Sequence, residues 1–301
     1  MKIGIDVGGT HIGLGLIDEN NDLILKEEDN YSFKQKDMTE IVEKTIIEGI
    51  NNILQKANID ITKIESIGLA FPGTVSKGIV VKAENLGIFN FNIAEKLKKH
   101  FNVPINLEND AKCAAIAEKE KGSLKNYEDS LFIIIGTGVG GAAFLDGKLL
   151  RPRRFSGFEV GHMVIKENGR ECNCGRKGCF ETYASMHALK QKIRDTFNLK
   201  GADGKQIKEF IVQNKENKEL DDIINSYLED VSTGITNLIN ILEPEAVCIG
   251  GGFGHYEDIL LERLKQKIID MNGLYNKENI PEIFIAELKN DAGIIGAAMS
   301  D

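Results

Sequence analysis

Short runs in which apolar and polar residues alternate open the chain, and the same pattern returns in its middle. Residues 2–7, 12–17 and 23–26 predict three consecutive strands, with Gly8-Gly9-Thr10 turning the first hairpin and the polar run 18–22 turning the second. Between 39 and 57 the period changes: Ile41, Val42, Ile46, Ile50, Ile53 and Leu54 mark a helix with one buried face. A strand at 64–70 closes at the turn Phe71-Pro72-Gly73, a helix follows at 93–101 and a strand at 104–107. The segment 109–121 reads as a helix capped by Asn109 or Asp110, where Ala111, Ala114, Ala115 and Ala117 permit close packing.

The pattern then restarts. A strand at 130–135, a glycine turn at 136–141, a strand at 142–145, the turn Asp146-Gly147 and a strand at 148–150 repeat the opening order. Helices near 181–197, 205–214 and 217–242, a strand at 245–249, Gly250-Gly251-Gly252, a helix at 255–271, a strand at 282–286 and a helix starting at Asp291 complete the chain. A duplicated hairpin-plus-helices unit is the plan of the actin-like ATPase (ribonuclease H-like) fold, in which two α/β domains clamp a nucleotide in a cleft. The expected division is 1–118, with 291–301 returning to it, and 119–290.

Composition narrows the class. A chain of 301 residues, 42% hydrophobic and 28% charged, has ample material for a core or two. Its net charge of −9 argues against a nucleic-acid footprint, which needs clustered Lys and Arg. No apolar run approaches the roughly 20 residues of a membrane span, and the first strand begins at once, without space for a signal peptide or a DNA-binding module ahead of it. A cytoplasmic protein with no nucleic-acid or membrane partner is expected.

Glycine turns directly after apolar strands, at 8–10, 136–141 and 250–252, are the candidate phosphate sites, because converging backbone amides can reach phosphate oxygens there. Gly136-Thr-Gly138-Val-Gly-Gly141 matches the dinucleotide fingerprint, but that fingerprint needs a helix next, and hairpin chemistry follows instead. Asp6 ends the first strand, where a carboxylate can hold Mg²⁺ against phosphates or cap the turn. Glu108-Asn109-Asp110 lies at a strand-to-helix junction, which suits a base for phosphoryl transfer to a hydroxyl as well as a helix cap.

Cys113 and Cys248 sit in apolar patterns and read as core residues. His162, Cys172, Cys174 and Cys179 form a His-x₉-Cys-x-Cys-x₄-Cys set, which satisfies a closed tetrahedral, structural Zn²⁺ in a reducing compartment. Such a metal would fix Glu159 and Glu181 beside the imidazole, an arrangement suited to a neutral polyol.

These motifs together resemble the ROK family of bacterial sugar kinases, whose relatives include sugar-responsive repressors. The match rests on Asp6-Val-Gly-Gly-Thr10, Glu108-Asn-Asp110-Ala111, Gly136-Thr-Gly-Val-Gly-Gly141, Glu159-Val-Gly-His162 and the cysteine motif through Glu181, over essentially the whole length. The resemblance implies ATP-dependent phosphorylation of a hexose at its 6-hydroxyl, with a homodimer common. It implies Asp110 as the catalytic base and Gly73, Asn85, Asn109, Glu159, His162 and Glu181 as sugar ligands. Asp6, Gly8, Gly9 and Thr10 would form the phosphate and Mg²⁺ loop, Thr137 and Gly138 the second phosphate loop, and Gly250, Gly251 and Gly252 the adenosine side. Glucokinase activity leads. Kinases of N-acetylmannosamine, fructose or allose, and a non-catalytic sugar sensor, are the alternatives. His11, Ile88-Phe89 and Phe158 depart from the family pattern, and a bulky Phe158 facing the sugar would crowd a 2-acetamido group.

Overall fold

The computed structural model describes residues 1–9, 11–30, 37–152, 157–276 and 279–300. In chain order its strands and first helices are β1 (Lys2–Val7), β2 (His11–Ile17), β3 (Leu23–Asn30), α1 (Thr39–Ala57), β4 (Ser66–Phe71), β5 (Thr74–Ser76), β6 (Ile79–Ala83), β7 (Ile88–Phe91), α2 (Ile93–Lys98), β8 (Ile105–Asn109) and α3 (Asp110–Glu120). The order continues with β9 (Ser130–Ile135), β10 (Val139–Leu145), β11 (Lys148–Leu149), α4 (Glu181–Ala184), α5 (Met186–Thr196), α6 (Gly204–Gln213), α7 (Lys218–Leu242), β12 (Ala246–Gly250), α8 (Glu257–Met271), β13 (Glu282–Ile285) and α9 (Ala292–Met299). The chain divides into two compact units: residues 1–125, 149–158 and 287–301 in one, 126–148 and 159–286 in the other.

In the first unit a five-stranded sheet runs β3-β2-β1-β4-β8. The β1–β2 and β2–β3 pairs are antiparallel, while β1–β4 and β4–β8 are parallel. Ile3, Ile5 and Val7 of β1 pack with the α1 stripe Val42, Ile46, Ile50 and Ile53, which is the helical period read from the sequence. Helix α9 lies directly on the sheet at Gly4 and Gly68, and directly on α3 at its own Gly296, because glycine lets backbone meet backbone. A Cβ would fall 1.9 Å from the Ile294 carbonyl oxygen at Gly4, 1.7 Å from that of Ala297 at Gly68, and 1.7 Å from that of Cys113 at Gly296.

The second unit repeats the plan, with sheet order β11-β10-β9-β12-β13. Again the β9–β10 pair is antiparallel, and β9–β12 and β12–β13 are parallel. Its apolar centre includes Leu131 and Ile133 of β9, Val247 and Ile249 of β12, and the inward stripes of α7 and α8.

Several local expectations are refined. The segment 74–91 forms a separate three-stranded sheet, β5-β6-β7, that no long apolar run announces. Gly140 and Gly141 belong to β10, paired with Ile134 and Ile133, so the turn is confined to residues 136–138. The helix expected over 181–197 is two helices, broken at Ser185, whose backbone is extended and whose Oγ accepts the Ala188 N–H at 3.2 Å. Residues 251–256 form a 3₁₀ turn before α8. Among the described residues no helix is long and apolar enough to cross a membrane.

Candidate active site and metal centre

In the first unit three chain segments end near one another. Asn109 is the last residue of β8 and the N-cap of α3: its Oδ1 accepts the Lys112 N–H at 3.2 Å. Its Nδ2 donates to Asp110 Oδ1 at 3.0 Å and to the Gly73 carbonyl at 3.1 Å. Asp110 Oδ1 also accepts the Ala111 N–H at 2.9 Å. The carboxylate is thus held by two donors at the N-terminus of a helix, where negative charge is favoured. Gly73 has φ +86°, and a Cβ there would lie 2.2 Å from the Lys82 carbonyl oxygen, so the turn requires glycine.

Glu108, the first carboxylate of the Glu108-Asn109-Asp110 junction, has two contacts. Its Oε1 accepts the Asn109 N–H at 2.9 Å, and its Oε2 meets Arg151 Nε at 3.4 Å. Nothing in the sequence pointed to Arg151, because residues 149–158 leave the neighbours they follow in the chain and join the first unit.

Asp6 faces the start of α9: a Cβ on Gly293 would lie 2.4 Å from its Oδ2. Burial pushes its carboxyl from 3.8 up to about 6, opposed by the positive charge of Lys26. The first glycine turn closes through the Gly8 N–H, which donates to the His11 carbonyl at 2.9 Å. Asn85, on a 3₁₀ turn after β6, brings its Nδ2 to 3.9 Å from a Cβ position on Gly9. Thr10 lies outside the described residues.

The second unit holds the remaining sugar-ligand candidates and the metal set. Glu159 is exposed and precedes the 3₁₀ turn Val160–His162, and the His162 N–H donates to its carbonyl at 3.0 Å. Phe158, just before it in the chain, belongs to the first unit and takes φ +59°. Gly161 seats the 3₁₀ turn on β10, since a Cβ there would fall 2.0 Å from the Val139 carbonyl oxygen.

His162, Cys172, Cys174 and Cys179 offer ligand atoms that all lie within 4.8 Å of one another. His162 Nδ1 is 3.7 Å from Cys172 Sγ, and Cys174 Sγ is 3.6 Å from Cys179 Sγ. With Zn–S of about 2.3 Å, the ligands of a tetrahedral zinc are separated by roughly 3.5–3.8 Å. The donor set therefore fits zinc in chemistry and in size. A hydrogen bond from the backbone N–H of Arg176 brings the Cys174 thiol down to about 6, while burial pushes Cys172 and Cys179 up.

Backbone bonds shape this loop: Cys172 N–H to the Arg176 carbonyl at 2.9 Å, Gly178 N–H to that of Arg170 at 2.8 Å, and Phe180 N–H to that of Met163 at 2.7 Å. Tyr183, which the sequence did not single out, anchors it further. Its ring lies 4.6 Å from Lys166 Nζ and 4.5 Å from the Arg170 guanidinium carbon, and its hydroxyl accepts the Arg170 N–H at 2.6 Å.

Glu181 connects the metal set to the second glycine turn. Its Oε1 accepts from Cys172 Sγ at 3.1 Å and is 3.4 Å from His162 Nδ1. Its Oε2 lies 2.8 Å from a Cβ position on Gly138, so a side chain at 138 would displace the Glu181 carboxylate. At the third turn, Gly250 ends β12 and Gly251 takes φ +77°. A Cβ on Gly252 would touch Met186 of α5 at 3.4 Å.

Comparison with known proteins agrees with these motifs. The model of the ROK family matches residues 2–300. The chain belongs to the ROK family. Glucokinases of Halalkalibacterium halodurans and Thermotoga maritima are 30% and 29% identical to it, and each alignment covers 98% of this chain and 92% and 95% of the relative. A ROK glucokinase from Streptomyces griseus, solved with glucose and AMPPNP, aligns over 99% of this chain and 98% of its own at 25% identity and TM-score 0.81. ROK kinases of this kind have the actin-like ATPase fold, and the two sheets of the present chain share it. Other ROK relatives differ in role. A xylose repressor of Caldicellulosiruptor bescii is 29% identical over 98% of this chain and 76% of its own. A putative N-acetylmannosamine kinase of Listeria monocytogenes matches at 26% identity, TM-score 0.82, over 99% and 98% of the two chains.

Proposed function

We propose that this ROK sugar kinase is an ATP-dependent glucokinase that phosphorylates the 6-hydroxyl of its sugar. The observation that carries the reading is Asp110, a carboxylate fixed by the Ala111 N–H and Asn109 Nδ2 at the end of β8. In this mechanism Asp110 accepts the hydroxyl proton as the oxygen attacks the γ-phosphorus in line. The loop of Gly8, Gly9 and Thr10, closed by the Gly8–His11 bond, and the amides of Thr137–Gly138 hold phosphate oxygens, with the Gly250–Gly252 turn serving the adenosine end. Asp6 is the carboxylate for Mg²⁺, which supplies charge neutralisation on the phosphates when bound.

Gly73, Asn85, Asn109, Glu159, His162 and Glu181 hydrogen-bond the sugar. His162 turns Nδ1 toward the cysteines, which leaves Nε2 for a sugar hydroxyl. Zinc would be held by His162, Cys172, Cys174 and Cys179, and supplies a rigid anchor for this loop when bound. The reading includes a homodimer, in keeping with its family.

An N-acetylmannosamine kinase is the second reading, and fructose or allose kinases follow it. Phe158, a bulky residue directly before Glu159, favours the smaller substituent of glucose at the 2-position. A panel of hexoses and their N-acetyl derivatives, read by ADP release, should rank glucose first; preference for N-acetylmannosamine reverses the order. In the same assay Asp110→Asn should lower turnover by about 10²-fold or more while keeping sugar affinity. An active Asp110→Asn enzyme removes Asp110 from the base role, and sugar binding without any ATP turnover in the unaltered protein favours a sugar sensor instead.

A further inference from the structure

Arg151 follows β11 in the chain but belongs, with the rest of 149–158, to the first unit. The residue before a proline is confined to extended backbone, so Pro152 narrows the conformations open to Arg151. Residues 152 and 157 come together behind it: a Cβ on Gly157, at φ +59°, would lie 2.3 Å from Pro152 Cγ. Arg151 Nε meets Glu108 Oε2 at 3.4 Å, and Oε1 of the same carboxylate accepts the Asn109 N–H at 2.9 Å. Asn109 Nδ2 in turn donates to Asp110 Oδ1 at 3.0 Å. A continuous chain of contacts therefore runs from Arg151 through Glu108 and Asn109 to Asp110. Charge gives the guanidinium a second role. The Cys113 thiol on α3 is pushed up by burial and then by the negative charges of Glu108, Asp6 and Asp110, against the positive charge of Arg151. Three carboxylates thus lie within electrostatic reach of one buried atom, and Arg151 opposes them.

We infer that Arg151 is a positioning residue for phosphoryl transfer: by holding Glu108 it fixes the Asn109-Asp110 junction in the geometry that accepts the hydroxyl proton. The inference rests on the kinase reading and adds what keeps its base in place. The guanidinium takes one oxygen of Glu108 and leaves the other for the Asn109 N–H. Without it the carboxylate is free to rotate away from that N–H, and its negative charge stands two residues from Asp110 with no cation to offset it. A reacting group misplaced by about 1 Å can cost roughly 10²-fold in rate. The pair adds little to stability by contrast, because the Arg151 side chain is 42% exposed and solvent screens such a pair. Rate and stability therefore respond differently to its removal, which separates positioning from a structural role.

The test is a double-mutant cycle on kcat at saturating sugar and ATP. Arg151→Ala should lower kcat about tenfold and leave the thermal midpoint almost unchanged. Glu108→Gln can still accept the Asn109 N–H but loses the charge that Arg151 meets, and should fall by a similar factor. Arg151→Lys restores a cation and should recover most of the loss. In the Asp110→Asn background, adding Arg151→Ala should lower the residual kcat no further, because the group being positioned is gone. An equal loss in both backgrounds, an unchanged kcat in Arg151→Ala, or a loss that tracks a fall in thermal midpoint overturns the inference. If Asp110→Asn turns over at the unaltered rate, or no nucleoside triphosphate supports turnover, the base reading fails. The cycle is then run on the Kd for glucose by calorimetry, with Asn109→Ser, which keeps the helix cap but lacks the amide donors. Weaker binding on Arg151→Ala in the unaltered background alone supports the hold on the junction, and equal weakening in both backgrounds, or none, overturns it.

Discussion

Burial in the first unit pushes the Asp6 carboxyl from 3.8 up to about 6, with the Lys26 charge pulling the other way. The direction fixes the sign of its effect on stability. A raised carboxyl pKa means that the fold prefers the protonated acid, so the ionised form destabilises the fold as pH rises from about 4 to about 6 and remains a constant cost above that. A shift of about two pKa units corresponds to roughly 3 kcal/mol at neutral pH. Asp6→Asn should therefore raise the thermal midpoint at pH 7, with the gain shrinking as the pH is lowered towards 4. An unchanged or lowered midpoint at pH 7 would contradict the burial argument. If Asp6 also serves Mg²⁺, the more stable variant loses phosphoryl transfer. Asp6 was legible as a candidate because it ends a strand beside two glycines; its burial was not, because Gly293 closes over it from nearly three hundred residues away.

Two elements carry most of the organisation. The first is the loop from His162 to Cys179, which has little apolar content, is shaped by backbone bonds and Tyr183, and carries the four candidate zinc ligands. Structural zinc contributes on the order of 10–16 kcal/mol of apparent binding energy. One zinc per chain is expected, and Cys174→Ser, at an exposed position, should lose both metal and sugar affinity. Full sugar affinity in a metal-free variant would contradict the anchoring role. The second element is α9. Gly68→Ala places a methyl group inside the contact with the Ala297 carbonyl, so α9 must move from the sheet, at a cost of about 1–3 kcal/mol or more. Gly273→Ala, where nothing lies within 4 Å of a Cβ, is the matched control. Urea midpoints of the two variants should separate clearly; equal midpoints would show that the seam relaxes freely. The cysteine spacing disclosed the first element in the sequence, because metal ligands are chemically distinctive. The α9 seam was not disclosed, because Gly4, Gly68 and Gly296 lie in separate segments and each is unremarkable until they meet.

At the scale of the molecule, the duplication was visible as a strand, glycine turn, strand and strand that occur twice. That order is local, and alternating side chains together with turn residues specify it without help from distant parts of the chain. The two sheets, each with the order third-second-first-fourth-fifth, follow from it. The cysteine and histidine set, the carboxylates at strand ends and the glycine turns were likewise set down by the sequence itself, since each is a chemical type at a short spacing. Tertiary structure alone decided the rest. It carried residues 149–158 to the first unit and Arg151 to Glu108, formed the small sheet of β5, β6 and β7, and placed the Glu181 carboxylate between the Cys172 thiol and Gly138. The physical reason is range: propensity and periodicity act over a few residues, whereas these contacts depend on which distant backbones can approach closely enough to touch.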